Sequence, residues 1–191
     1  MFLSEEDGLT NVKARALCEM VRVEFDAIDQ WFEEDTPIFV HPKDPFKRID
    51  ILASTRPVEI SLQIVLPKEK PPKRAYASKQ EEPSKFVLAE TTSSMHLFET
   101  SLPPRYYIPL TAINPHLLRK SKTKTQCPYK GEAEYYDVVL PNGEVTKDLV
   151  WYYTRPTLEC AAIAGMCCFY GEKVDTAVDG RPMTRPKTYW S

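Results

Sequence analysis

Seventeen prolines spread through 191 residues set the first limit on this chain. Each fixes its own φ, removes a backbone donor and pushes the residue before it out of the helical region. Long helices therefore have little room. Between the prolines the text alternates: Val58, Ile60 and Leu62 interleave with Glu59, Ser61 and Gln63. A period of two gives a strand one apolar and one polar face. The expectation is a mainly β chain, a compact antiparallel domain of short strands and stiff turns.

One stretch departs from this. In residues 4–20, Val12, Ala16 and Met20 fall on one face at four-residue spacing, which predicts an N-terminal amphipathic helix. Strands are expected at 21–25, 48–52, 58–66, 85–90, 95–99 and 106–108. Residues 114–118 and 156–162 read as helical turns. Asn142-Gly143, between 134–140 and 144–153, predicts a hairpin closed by a two-residue primed turn. Residues 165–170 and 173–178 read as a last strand pair, followed by a turn at Asp179-Gly180. Residues 67–84 (PKEKPPKRAYASKQEEPS) are charged and nearly free of apolar groups, so they read as a mobile insertion. The organisation expected is a helix and connector arm over 1–57, a β domain over 58–180 and a basic tail over 181–191.

Charge and composition exclude several classes. A net charge of −2 and a pI near 6.0 lack the basic field that drives phosphate binding, so no nucleic-acid partner is expected. No run of about 18 apolar residues exists for a membrane span. The first residues, MFLSEEDGLTNVK, lack the pattern of a secretory signal. The five cysteines, Cys18, Cys127, Cys160, Cys167 and Cys168, are an odd set without a disulfide framework. A reduced, cytoplasmic protein is the expectation, and the sequence leaves its oligomeric state open.

Four motifs in order carry a resemblance. They are LFETSLPPRYYIP from Leu97, CPYKGEAEYY from Cys127, KDLVWYY from Lys147 and IAGMCCFYGEKVD from Ile163. Together they resemble the domain of unknown function 427 family, which also carries a nucleotidyltransferase-like label. The arm WFEEDTPIFVHPKDPFKRIDIL resembles the connector before the second copy in tandem members. The resemblance implies a compact β fold of the Mss4-like or β-tent kind and no settled reaction. Where members show a Ser-Arg-Arg-Pro-like stretch, this chain has Thr92-Ser93-Ser94-Met95-His96, which alters any ligand site that uses the arginine.

The candidate chemistry concentrates in two proline-stiffened segments. In Cys127-Pro128-Tyr129-Lys130-Gly131, the Lys130 ammonium can stabilise a Cys127 thiolate or polarise a carbonyl, with Tyr129 as a further proton carrier. The alternative is that Cys127 fills space and Lys130 points into water. Arg105, after two prolines and before Tyr106, offers a planar fork for a carboxylate or phosphate; the alternative pairs it with Glu99 or Glu132. Tyr136 and Trp151 are candidates to line a pocket for a flat ligand, although strand aromatics are more often core. No metal is expected: Cys127 stands alone, adjacent Cys167 and Cys168 must face opposite ways on a strand, and His41, His96 and His116 are far apart. No cofactor is expected either.

Two functions fit these residues. In the first, the chain is a small-molecule-binding β domain, acting without a cofactor as an enzyme on a carbonyl- or carboxylate-bearing metabolite. Arg105, Tyr106, Cys127, Tyr129 and Lys130 then converge on one pocket. In the second, it is a non-catalytic binding or protein-interaction module that uses the arm as a docking surface.

Overall fold

The computed structural model describes residues 21, 23–41, 43–65 and 83–188. The expected helix over 4–20 and most of the expected insertion lie outside them. The chain divides into two compact units, Met1–Pro42 and Lys43–Ser191.

The described part of the first unit is small. Phe25–Ala27 is a 3-10 turn, and it takes in Phe25, the last residue of the strand expected over 21–25. Its Phe25 ring stacks on Trp31 at 5.5 Å, and the Trp31 indole donates to the Phe25 carbonyl at 2.7 Å. Those contacts take Phe25 out of any ladder. Strands β1 (Trp31–Glu33) and β2 (Thr36–Ile38) then pair through a turn at Glu34 and Asp35.

The second unit is built from two antiparallel sheets. Seven strands form the larger: β3 (Ile49–Ser54), β6 (Ser94–Glu99), β7 (Arg105–Ile108), β11 (Cys167–Phe169), β10 (Val145–Tyr152), β9 (Gly131–Val139) and β8 (Leu118–Cys127), in that spatial order. Four form the smaller, in the order β13 (Arg181–Pro182), β12 (Asp175–Val178), β4 (Val58–Ile64) and β5 (Ser84–Thr91). The mainly β reading stands. The expected final strand pair does not, because β11 lies between β7 and β10 while β12 joins the other sheet beside β4.

Alternation along the strands makes two cores. Val58, Ile60, Leu88, Ile108, Val138, Val150, Cys167 and Phe169 fill one, shared by both sheets. The opposite face of the larger sheet carries Leu97, Tyr107, Tyr135, Trp151, Tyr153 and Cys168. A 3-10 segment, Leu158–Ile163, contributes Cys160 and Ile163 to this second core. Adjacent Cys167 and Cys168 thus enter different cores, as a strand requires.

Two turns differ from the expected chemistry in an instructive way. Leu140 N donates to Glu144 O at 2.8 Å, so the β9–β10 loop holds three residues, and only Gly143 is left-handed, at φ +86°. A type I′ turn, the kind Asn-Gly favours, needs positive φ at both central positions. That geometry appears instead at Asp179 (φ 54°) and Gly180 (φ 69°), where Val178 pairs with Arg181.

Candidate functional site

Arg105 opens β7, opposite Leu97 of β6. Its guanidinium lies 5.4 Å from the centre of the Trp151 ring. Nη1 and Nη2 donate to the two oxygens of Glu172 at 2.8 and 2.6 Å. The Glu172 side chain is fully buried and that of Arg105 only 13% exposed. Thr188 Oγ1 adds a third hydrogen bond to the carboxylate at 2.7 Å. Burial alone would raise the Glu172 pKa, but the bonds from Arg105 and Thr188 bring it down to about 2. The same pairing outweighs burial at Arg105 and raises its pKa. Glu172, and neither Glu99 nor Glu132, is therefore the partner. Two donors of the five-donor fork are occupied, which leaves the Nε–H outside the pair.

Tyr106 leaves β7 on the other face. Its ring meets His96 edge-on at 4.8 Å, and His96 Nε2 lies 3.1 Å from Ser94 Oγ. Burial, and then the positive charge of Arg56, lower the His96 pKa. Burial raises the Tyr106 phenol against the pull of Arg56. Arg105 and Tyr106 nevertheless border one cleft of about 70 Å³, which also touches Pro103, Phe169, Met183 and Arg185. The cleft lies where β7 begins, so residues from both of its faces reach it. Arg185 is itself paired with Asp175 at 2.9 Å.

The Cys127–Gly131 turn gathers a second constellation. Gly131 has φ +98°, a conformation that side chains other than glycine's resist. Lys130 does not point into water: its side chain is 12% exposed, and Nζ lies 2.5 Å from Glu99 Oε2. Lys47 reaches the other oxygen of Glu99 at 3.2 Å. Glu99 ends β6, four places from β9 in the sheet order, so this ion pair ties distant strands together. Tyr129 is buried; its hydroxyl accepts from Asp44 N at 2.6 Å, and the Lys47 ammonium stands 5.1 Å from its ring centre. Thr157 Oγ1 donates to Tyr129 O at 2.6 Å and fixes the turn against the 3-10 segment. Cys127 is half-buried. Cys160 is pushed up by burial, with Lys130 opposing.

The sequence candidates thus fall into groups. Tyr129 and Lys130 share the Glu99 corner, and Cys127 begins the same turn. Arg105 and Tyr106 share the cleft, and Arg105 also covers Trp151. Trp151 donates to the Tyr107 hydroxyl at 3.0 Å and lies 4.5 Å from the Tyr170 ring. Tyr136 is on the opposite face, stacked on Tyr152 at 4.8 Å. Cys127, Tyr129 and Lys130 do not line the cleft. Sequence reasoning missed Glu172, Thr188 and the role of Glu99. Among the described residues no three His, Cys, Asp or Glu gather to hold a metal.

The comparison with known families meets this geometry directly. A family model described as a domain of unknown function (DUF427) matches residues 83–180, just over half of the chain. The chain belongs to that family. The match to the DUF427 model takes in every strand from β5 to β12, together with Arg105, the Cys127–Gly131 turn, Glu99 and Glu172. No curated protein matches the chain.

Proposed function

We propose that this DUF427 domain binds a small metabolite bearing a carboxylate or a comparable compact anion, in the cleft bordered by Arg105 and Tyr106. The observation that carries the reading is the Arg105–Glu172 pair. A fully buried carboxylate holds the guanidinium rigidly over an indole while leaving Nε–H directed away from the pair. A donor fixed in advance loses little freedom on binding. The Tyr106 phenol supplies a second polar handle, and Pro103, Phe169 and Met183 supply apolar walls for the ligand's body. A volume of about 70 Å³ suits a carboxylate and a few carbons.

A catalytic part for Cys127, Tyr129 and Lys130 belongs to the same proposal only for a ligand long enough to reach the Glu99 corner. There a lysine and a carboxylate already share a short hydrogen bond. Mass spectrometry of metabolites released from the denatured protein, followed by calorimetric titration with pyruvate and benzoate, tests the reading. Met183→Trp, which fills the cleft, is expected to abolish binding. Tyr106→Phe is expected to weaken it about fivefold, the worth of one hydrogen bond. No released small acid, and no heat with either probe, overturns the proposal.

A further inference from the structure

Sheet edges are where this fold is most unevenly protected. The β8 edge carries Arg119, Lys120, Lys122 and Lys124. Strand β13 is two residues long, one of them Pro182. The β5 edge has Lys85, a register shift against β4, and a bridge from Ala89 to Ile113. Charges, prolines, bulges and covering segments are the usual means of keeping an edge from pairing with another chain.

β3 is the least protected: Asp50 is its one charged residue, and among the described residues it has no proline, no bulge and no segment paired to its outer side. Its six residues, IDILAS, pair with β6 in unbroken register from Ile49↔Glu99 to Ser54↔Ser94. Just before it, Arg48 accepts from Thr100 N at 3.0 Å and donates to Thr100 Oγ1 at 2.9 Å. Even-numbered residues therefore turn their backbone groups toward β6. By the alternation of an antiparallel ladder, Ile49, Ile51 and Ala53 turn theirs outward. Among the described residues nothing pairs with that side. Beside it Leu52 is 57% exposed, and Phe46 at the preceding turn is 87% exposed.

We propose that the β3 edge pairs with the β3 edge of a second copy of this chain, antiparallel about a two-fold axis at Ile49. This goes beyond the ligand reading and does not depend on it. Charge selects the partner and the register. With the axis at Ile49, Arg48 of each copy stands opposite Asp50 of the other, in the close non-hydrogen-bonded position. Exposed Phe46 then approaches Leu52 of the other copy. Moving the axis to Asp50 sets that carboxylate against its own equivalent, and moving it to Ile51 sets Asp50 against Leu52. Within one copy Arg48 and Asp50 already pair at 2.9 Å on the surface, at 79% and 41% exposure. The dimer exchanges this weak exposed pair for two reciprocal ones.

Sedimentation equilibrium over a concentration series, with the full chain, tests the proposal. The parent is expected to approach twice the monomer mass. Asp50→Arg, which sets like charges face to face, is expected to raise the dissociation constant about tenfold. Arg48→Asp combined with Asp50→Arg restores the complementarity and is expected to recover the parent value. Hydrogen exchange adds a readout at the edge itself: protection of the Ile49 and Ile51 amides is expected to fall on dilution. A monomer at every concentration overturns the proposal, as does a dimer indifferent to Asp50→Arg. Protection of those amides that persists on dilution also overturns it, since another segment then covers the edge.

Discussion

Glu172 and Arg105 show how much one buried pair can decide. Removing the carboxylate in Glu172→Ala leaves a guanidinium that is 13% exposed without its partner, at a cost of about 3–5 kcal/mol. Chemical denaturation of the variant beside the parent measures it. The pH dependence has a definite sign. The folded-state pKa of Glu172, about 2, lies below its ordinary 4.5, so its contribution is complete above 4.5 and is lost as pH falls toward 2. Acid titration of the parent is therefore expected to lose stability in that window, and Glu172→Gln to lose less. His96 adds a smaller effect at higher pH. Burial and Arg56 lower its pKa from 6.5, so the native state resists its protonation, and stability falls as pH drops below 6.5. His96→Gln is expected to flatten that part of the curve. None of these partnerships was legible in the sequence. Arg105 stood out because two prolines precede it, but Glu172 lies 67 residues further on, and no local pattern links them.

At the scale of elements, legibility followed burial. β4 buries Val58 and Ile60, and β9 Ala133 and Tyr135, at the alternate positions their period marks, but the bulge after Ile60 turns Ser61 inward and leaves Leu62 partly exposed. Leu118–Cys127 carries three lysines and little apolar surface, and it is the longest strand of the larger sheet. It is an edge strand whose side chains face water, so no apolar alternation marks it. The turn at Cys127–Gly131 was legible from Pro128 and Gly131, while its ties to Glu99 and Thr157 were not. A Cβ at Gly131 meets Arg155 O at 3.3 Å on top of the positive φ. Gly131→Ala is accordingly expected to cost about 1–2 kcal/mol or somewhat more, seen as a lower thermal midpoint, whereas Gly143→Ala meets no neighbour within 4 Å and bears only its φ.

The whole domain places its thiols in different environments. Cys160, Cys167 and Cys168 are buried, and burial pushes Cys167 up to about 12. Cys127 is half-buried. Alkylation of the native protein followed by peptide mapping is expected to modify Cys127 well before Cys160, Cys167 and Cys168, which should react only as the domain unfolds. The two cores on either face of the larger sheet leave most aromatics to packing, and the cleft at the start of β7 is where polar groups meet accessible space. Its occupancy is best followed at the guanidinium itself. In a ¹⁵N-edited titration with pyruvate, the Arg105 Nε–H resonance is predicted to shift saturably in the parent and to stay still in Met183→Trp. A resonance that does not move in the parent, or that moves equally in both proteins, would contradict binding at Arg105.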